Sequence, residues 1–269
     1  MNWLKFGGYI LIIIPTLFVG VALTLYLLQD YMIFLGERLP ETHKYNFNLP
    51  HEEFDLVNKN GVKINCLLFK APNSKGLVYY HHGNAGNIQG WGTLAANFVK
   101  NKFDVLFYDY RGYGKSTGKI SAESQLHSDA RFVLKEFLKS RSYAKIIYYG
   151  TSLGSGIASA LARKIPPDAL ILETPYYSFL SLIHYHYPLM PASLLSKYKI
   201  RTYRSIKNLE CPILIFHGTD DELVPYENSV KLSKITDRIQ FVGIKGGVHN
   251  NLPDFKIYQE KLSVFLNDI

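Results

Sequence analysis

The chain has 269 residues, 47% hydrophobic and 19% charged, and its 30 Lys+Arg against 22 Asp+Glu leave a formal charge of +8. That length fits one large domain with a filled core and is too short for several. High apolar content without a long like-charge run excludes disorder as the main state, and the lack of a fixed period excludes coiled-coil, collagen-like and repeat architectures. Two cysteines, Cys66 and Cys211, make neither a disulfide framework nor a zinc cage.

The first feature in chain order is a run of 23 uncharged residues from Phe6 to Leu28. As a helix it covers roughly 35 Å, against a hydrocarbon core of about 30 Å. A cleaved signal peptide has a shorter apolar core and ends in small residues. This run ends in Leu25-Tyr26-Leu27-Leu28, so the expectation is an uncleaved single-span anchor over residues 1–30 in contact with a lipid bilayer. Pro15 and the glycines at 7, 8 and 20 are tolerable in such a helix. Trp3, Tyr9, Tyr26 and Tyr31 fall near its ends, where interfacial aromatics belong. Lys5 precedes the span, and Arg38 and Lys44 follow it among acids. That margin is narrow, and the orientation expected is a cytoplasmic N-terminus with the remaining domain on the other side.

Residues 31–269 read as one α/β domain. Glu53–Val57 and Val62–Phe69 flank Asn60-Gly61, a hairpin signal. Then come Leu77–His81, Val105–Tyr108, Lys145–Tyr149, Ala169–Leu172, Pro212–Phe216 and Ile239–Val242. The middle ones, such as Ile146-Ile147-Tyr148-Tyr149 and Ile213-Leu214-Ile215-Phe216, are continuous apolar runs, the pattern of strands covered on both faces, as in a parallel sheet. Helical stretches near 91–100, 122–139, 153–164, 226–235 and 254–267 alternate with them, which predicts helices on both faces. Residues 175–210 break the alternation, and their length and aromatic content predict a small cap.

The main chemical signal is Gly150-Thr151-Ser152-Leu153-Gly154. The G-x-S-x-G pattern is weak by itself, but here it follows a buried strand and opens a helix of small residues. Ser152 is therefore the candidate nucleophile. A serine hydroxyl needs a base to take its proton and an acid to orient the base. His217 and His249 lie late enough in the chain to follow the acid. His217 ends a strand and suits support of the acid loop, whereas His249 sits in a glycine-rich loop and is the candidate base. Asp220, Asp221 and Glu222 all compete as the acid. The oxyanion hole requires the Leu153 N–H and a second amide from His82-Gly83-Asn84-Ala85-Gly86-Asn87, with Asn84 preferred and Ala85 as alternative.

Several other signals are declined. Gly114-Lys115-Ser116 ends like a phosphate-binding loop, but the first glycine of that motif falls on Asp109. Asp109 and Arg111 read as a paired turn. His184 and His186 lack an acidic or cysteine partner nearby, so no metal is expected. Without a basic stripe or binding module, nucleic acid is not expected either.

Taken together, His82–Asn87, Asp109-Tyr110-Arg111-Gly112-Tyr113-Gly114-Lys115-Ser116, Gly150–Gly154, Glu173-Thr174-Pro175, His217–Pro225 and Gly247–Asn250 occur in order. This set resembles the membrane-anchored alpha/beta-hydrolase subfamily that includes the bud-emergence-related hydrolases and protein depalmitoylating thioesterases. The resemblance runs from about residue 30 to the C-terminus. It implies an eight-stranded, mostly parallel sheet and a Ser–Asp–His triad. In the family pattern His-Gly-x-x-Asp-x-x-Val-Pro the acid falls on Asp221. The activity implied is cleavage of a carboxylic ester or thioester without a cofactor, on an acylated small molecule, lipid or protein. A peptidase on the same fold and a catalytically silent tethered binding protein are the rivals. Tyr176, Tyr177, Phe179 and Tyr185 of the cap are the expected acyl pocket.

Overall fold

The computed structural model describes the backbone from Trp3 to Ile269 and the side chains of Ile13 and of residues 16–269. Helix α1, Trp3–Ile33, comes first and continues five residues beyond the apolar run. Its segment Thr16–Ile33 has a mean hydropathy of 1.5 and is almost entirely exposed, so it is long and apolar enough to cross a membrane. Tyr26 and Tyr31 lie in its last turns. Trp3, Lys5, Gly7, Gly8, Tyr9 and Pro15 lie outside the described side chains.

Eight strands build the sheet: β1 His51–Val57, β2 Lys63–Phe69, β3 Gly76–His81, β4 Phe103–Tyr108, β5 Ile146–Thr151, β6 Ala169–Glu173, β7 Ile213–Gly218 and β8 Ile239–Ile244. Their spatial order is β8-β7-β6-β5-β3-β4-β2-β1. Strand β2 is antiparallel to both neighbours, β1 and β4, and every other pairing is parallel. Edge strand β1 alternates in exposure, whereas β3 to β7 are buried almost throughout. This matches their uninterrupted apolar runs. Around the β1–β2 hairpin the Asn58 N–H donates to the Val62 carbonyl at 3.0 Å, and Gly61 takes φ 74°.

Helices cover both faces. Those labelled here are α2 Glu123–Phe137, α3 Leu153–Ala162, α4 Phe179–His186, α5 Glu227–Ser233 and α6 Lys256–Asp268. One apolar core sets Leu126, Val133 and Ile157 of α2 and α3 against Tyr79, Leu106 and Tyr148 of the sheet. The opposite core sets Phe98, Leu262 and Leu266 against Val78, Phe107 and Ile171. The helical stretch expected at 91–100 is a series of short turns between Ile88 and Val99.

Most of the tyrosine excess is in the core rather than in the cap. Tyr79, Tyr80, Tyr108, Tyr110, Tyr148, Tyr149 and Tyr258 are fully buried. Burial of a phenol is tolerable because its hydroxyl finds a partner. Tyr79 donates to the Ala130 carbonyl at 2.9 Å, and Tyr80 bonds Thr151 at 2.8 Å.

Candidate active site

Ser152 stands between β5 and α3 with φ 51° and ψ −117°, in the left-handed region that a residue with a Cβ rarely adopts. The turn is held from the sheet, because the Ser152 N–H donates to the Glu173 carbonyl at 2.9 Å and the Thr174 N–H to the Phe216 carbonyl at 2.9 Å. Its two glycines are required by space. A Cβ on Gly150 would stand 2.4 Å from the Gly154 carbonyl oxygen, and one on Gly154 only 1.9 Å from the His81 carbonyl oxygen. Neither obstacle is a movable side chain. Gly154→Ala is therefore expected to cost about 3 kcal/mol or more of stability, read as a lowered midpoint in urea unfolding.

Asp221 and His249 meet at the C-terminal ends of β7 and β8. His249 Nδ1 lies 2.8 Å from Asp221 Oδ2. With Nδ1–H donating to the carboxylate, Nε2 keeps its lone pair and can accept a proton. Asp221 Oδ1 accepts the N–H groups of Leu223 and Val224, both at 2.9 Å. His217 Nε2 approaches Oδ2 at 3.2 Å and donates to the Val224 carbonyl at 2.7 Å, so the ring braces the acid loop. Burial alone would raise the Asp221 carboxyl. Hydrogen bonds from His217 and His249, the charge of His249 and the Val224 N–H outweigh it and hold the group well below the usual carboxylate range. Asp220 and Glu222 are exposed, and Asp220 accepts from the Thr219 hydroxyl at 2.7 Å.

Ser152, Leu153 and Asn84 line one cavity of about 420 Å³. Leu153 opens α3, so its N–H has no intrahelical acceptor. The Asn84 carbonyl accepts from the Leu35 N–H at 2.9 Å and the Tyr113 hydroxyl at 2.8 Å. Its side chain donates to the Ile33 carbonyl at 3.1 Å. Ala85 instead pairs with Leu35 in a two-residue parallel bridge.

The cap residues divide. Tyr176 and Phe179 line the cavity. Tyr177 does not, because its ring stacks on Tyr203 at 4.6 Å between centroids. Tyr185 is 62% exposed and lies edge-on to His186, so it too is outside the cavity. Leu182, Ile183 and Met190 take their place. His186 also lines the cavity and donates from Nε2 to the Leu223 carbonyl at 2.8 Å, which ties the cap to the acid loop.

Leu25, Gln29, Met32 and Ile33 of α1 form a further wall. Gln29 donates to the Leu195 carbonyl at 3.1 Å and accepts from the Lys197 N–H at 2.8 Å. Asp30 accepts from Lys197 Nζ at 2.9 Å and from the Tyr198 hydroxyl at 2.7 Å. The available signal was this polar pair, Gln29-Asp30, at the end of an apolar run. The Asp109–Arg111 pairing is corrected: Arg111 grips Asp129, with Nη2 at 2.8 Å. Asp109 accepts the Ile88 N–H at 3.0 Å, and burial raises its carboxyl.

A serine in a strained turn after the fifth strand of a sheet in this order defines a hydrolase of the alpha/beta type. Residues 72–199 match the family model described as "Serine aminopeptidase, S33". An uncharacterized protein of Mycobacterium tuberculosis is 33% identical over 193 residues, covering 70% of this chain and 68% of its own. Lysophosphatidylserine lipase ABHD12 of Xenopus tropicalis is 33% identical over 246 residues, 77% of this chain but 63% of the lipase. The esterase Pf2001 of Pyrococcus furiosus shares the fold with a TM-score of 0.71 at 15% identity, covering 88% of this chain and 98% of the esterase. The chain belongs to the alpha/beta-hydrolase superfamily.

Proposed function

We propose that the chain is a membrane-anchored hydrolase that removes a fatty acyl group from an ester or thioester through Ser152, His249 and Asp221. The observation that carries this reading is the placement of Ser152 in an apolar cavity, one wall of which is the end of the candidate membrane helix. In this mechanism Ser152 Oγ attacks the acyl carbonyl while His249 Nε2 takes its proton. The amides of Leu153 and Asn84 stabilise the oxyanion, the alcohol or thiol leaves with the proton from His249, and water repeats the sequence to free the acid. Asp221 holds His249 in the required tautomer.

The lysophosphatidylserine lipase relatives support a lipid with one acyl chain as substrate. Each methylene moved from water into the cavity contributes about 0.8 kcal/mol, so chain length is a strong selector. The family model's aminopeptidase description favours a second reading. An aminopeptidase has to hold its substrate's ammonium group, and among the described residues no Asp or Glu lines the cavity.

A panel of aryl esters of rising chain length, lysophospholipids and aminoacyl arylamides separates the two. Turnover is expected to rise with acyl length and to be slowest for the aminoacyl series. Faster aminoacyl turnover overturns the lipase reading.

A further inference from the structure

A second cavity, of about 400 Å³, lies at the other end of α3. Leu153 at the start of the helix faces Ser152's cavity, and Leu161 near its end lines this one, roughly 12 Å further along the axis. Its walls carry six cations from three separate stretches: Arg131 of α2, Arg163 and Lys164 just after α3, and Lys199, Arg201 and Arg204 at the end of the cap. One carboxylate joins them, Glu123, and it is already engaged by His127 at 3.3 Å and by the Lys199 N–H. Burial would raise the Glu123 carboxyl, yet the hydrogen bonds and the positive charge of His127 and Arg201 hold it below its ordinary value.

Among the described residues, none of the six forms an ion pair, although Lys63, Lys70, Lys115, Lys139 and Lys197 all do. The negative end of α3 accounts for Arg163 and Lys164. It does not account for the other four, which come from the third turn of α2 and from residues 199–204. Like charges gathered around one cavity repel wherever they approach within the screening length of about 8 Å at physiological salt, and an entering anion relieves that repulsion. A cleft lined by one sign also focuses its field on ligands of the other sign.

We propose that this cavity is a binding site for a phosphate-bearing anion, separate from the hydrolytic centre. Phosphate is the match because Arg and Lys together offer forked and single donors to several oxygens at once. The group has two available sources, an anionic lipid headgroup or a soluble phosphate compound. Lys199 is adjacent to Tyr198, whose hydroxyl bonds Asp30 at the end of α1, so a bilayer headgroup is within reach if α1 is embedded.

The test uses the full chain in phosphatidylcholine nanodiscs. One arm adds sodium pyrophosphate; the other replaces part of the lipid with ether-linked phosphatidic acid, whose chains no esterase removes. Saturable binding is read by calorimetry in the first arm and by a rise in Tm in the second. At least one arm is expected to respond, to weaken about tenfold or more in Arg163→Glu/Arg204→Glu, and to vanish near 1 M salt, where screening falls to about 3 Å. Hydrolysis of a short aryl ester is expected to stay within about twofold in that variant, since neither residue touches Ser152's cavity. A response to pyrophosphate assigns a soluble ligand, and a response to phosphatidic acid alone assigns a headgroup. No saturable response in either arm, or equal binding by wild type and variant, overturns the proposal.

Discussion

Replacing Ser152 with alanine is expected to reduce ester turnover by about 10⁶-fold while the protein stays folded. The size follows from the chemistry: without Oγ there is no acyl-enzyme, and only the amides and the cavity remain to act on the substrate. Alanine also leaves the elbow intact, because the turn rests on the Ser152 N–H to Glu173 bond and on the flanking glycines. His249→Ala is expected to cost a comparable amount, and the double variant hardly more than either single one, since the groups act as a unit. Labelling by a fluorophosphonate probe gives an independent reading, expected in wild type and absent in Ser152→Ala. A variant that still hydrolyses at a near wild-type rate removes Ser152 from the mechanism.

Asp221→Asn is expected to lower turnover by up to about 10⁴-fold, and Asp220→Asn by less than about tenfold. The difference is one of environment. Asp221 is buried, faces His249 Nδ1 at 2.8 Å and is fixed by two backbone N–H groups. An amide there can present its NH₂ to the ring and select the wrong tautomer. Asp220 is exposed and bonds only its neighbour Thr219 through its side chain. Asp221 also links stability to acidity. Its folded carboxyl lies below its unfolded one, so its contribution is present above about pH 4 and is lost as pH falls further. The asparagine variant is expected to lack that part of the acid-induced fall in Tm. The reverse order of kinetic damage, with both variants folded by circular dichroism, assigns the acid to Asp220.

Strands β3 to β7 were legible in the sequence as apolar runs bounded by turn residues, for which burial on both faces leaves no other use, and β1 and β2 were legible through the Asn60-Gly61 hairpin signal between them. The pairing of Asp221 with His249 was legible through a pattern tied to strand ends, where a parallel sheet gathers its loops. What escaped depends on contacts between distant segments. Tyr176 and Tyr177 are adjacent, yet one lines the cavity and the other stacks on Tyr203, a choice made by a residue 26 positions away. Arg111 passes over its neighbour Asp109 for Asp129, which α2 brings alongside. The chain has no basic stripe, but folding gathers cations from residues 131, 163–164 and 199–204 into one cavity. Nor does an apolar run ending at Leu28 announce that its helix will continue to Ile33 and that this end will wall a cavity.

That last feature makes α1 a rigid mount rather than a leash. Four hydrogen bonds join Gln29 and Asp30 to the 195–198 segment, and the Phe34 ring meets Tyr198 edge-on at 4.9 Å. The tilt of the sheet relative to the helix is therefore set by the fold and not by a swivelling linker. With α1 seated in a bilayer, Ser152 stands at one height above the hydrocarbon boundary. On the proposed function the site would then act as a depth gauge: an acyl carbonyl near that height would meet the serine, and one buried far below it would not, whatever its headgroup. Replacing Gln29 and Asp30 with alanine would cut the mount, and discrimination between ester positions is expected to fade before activity on soluble esters does.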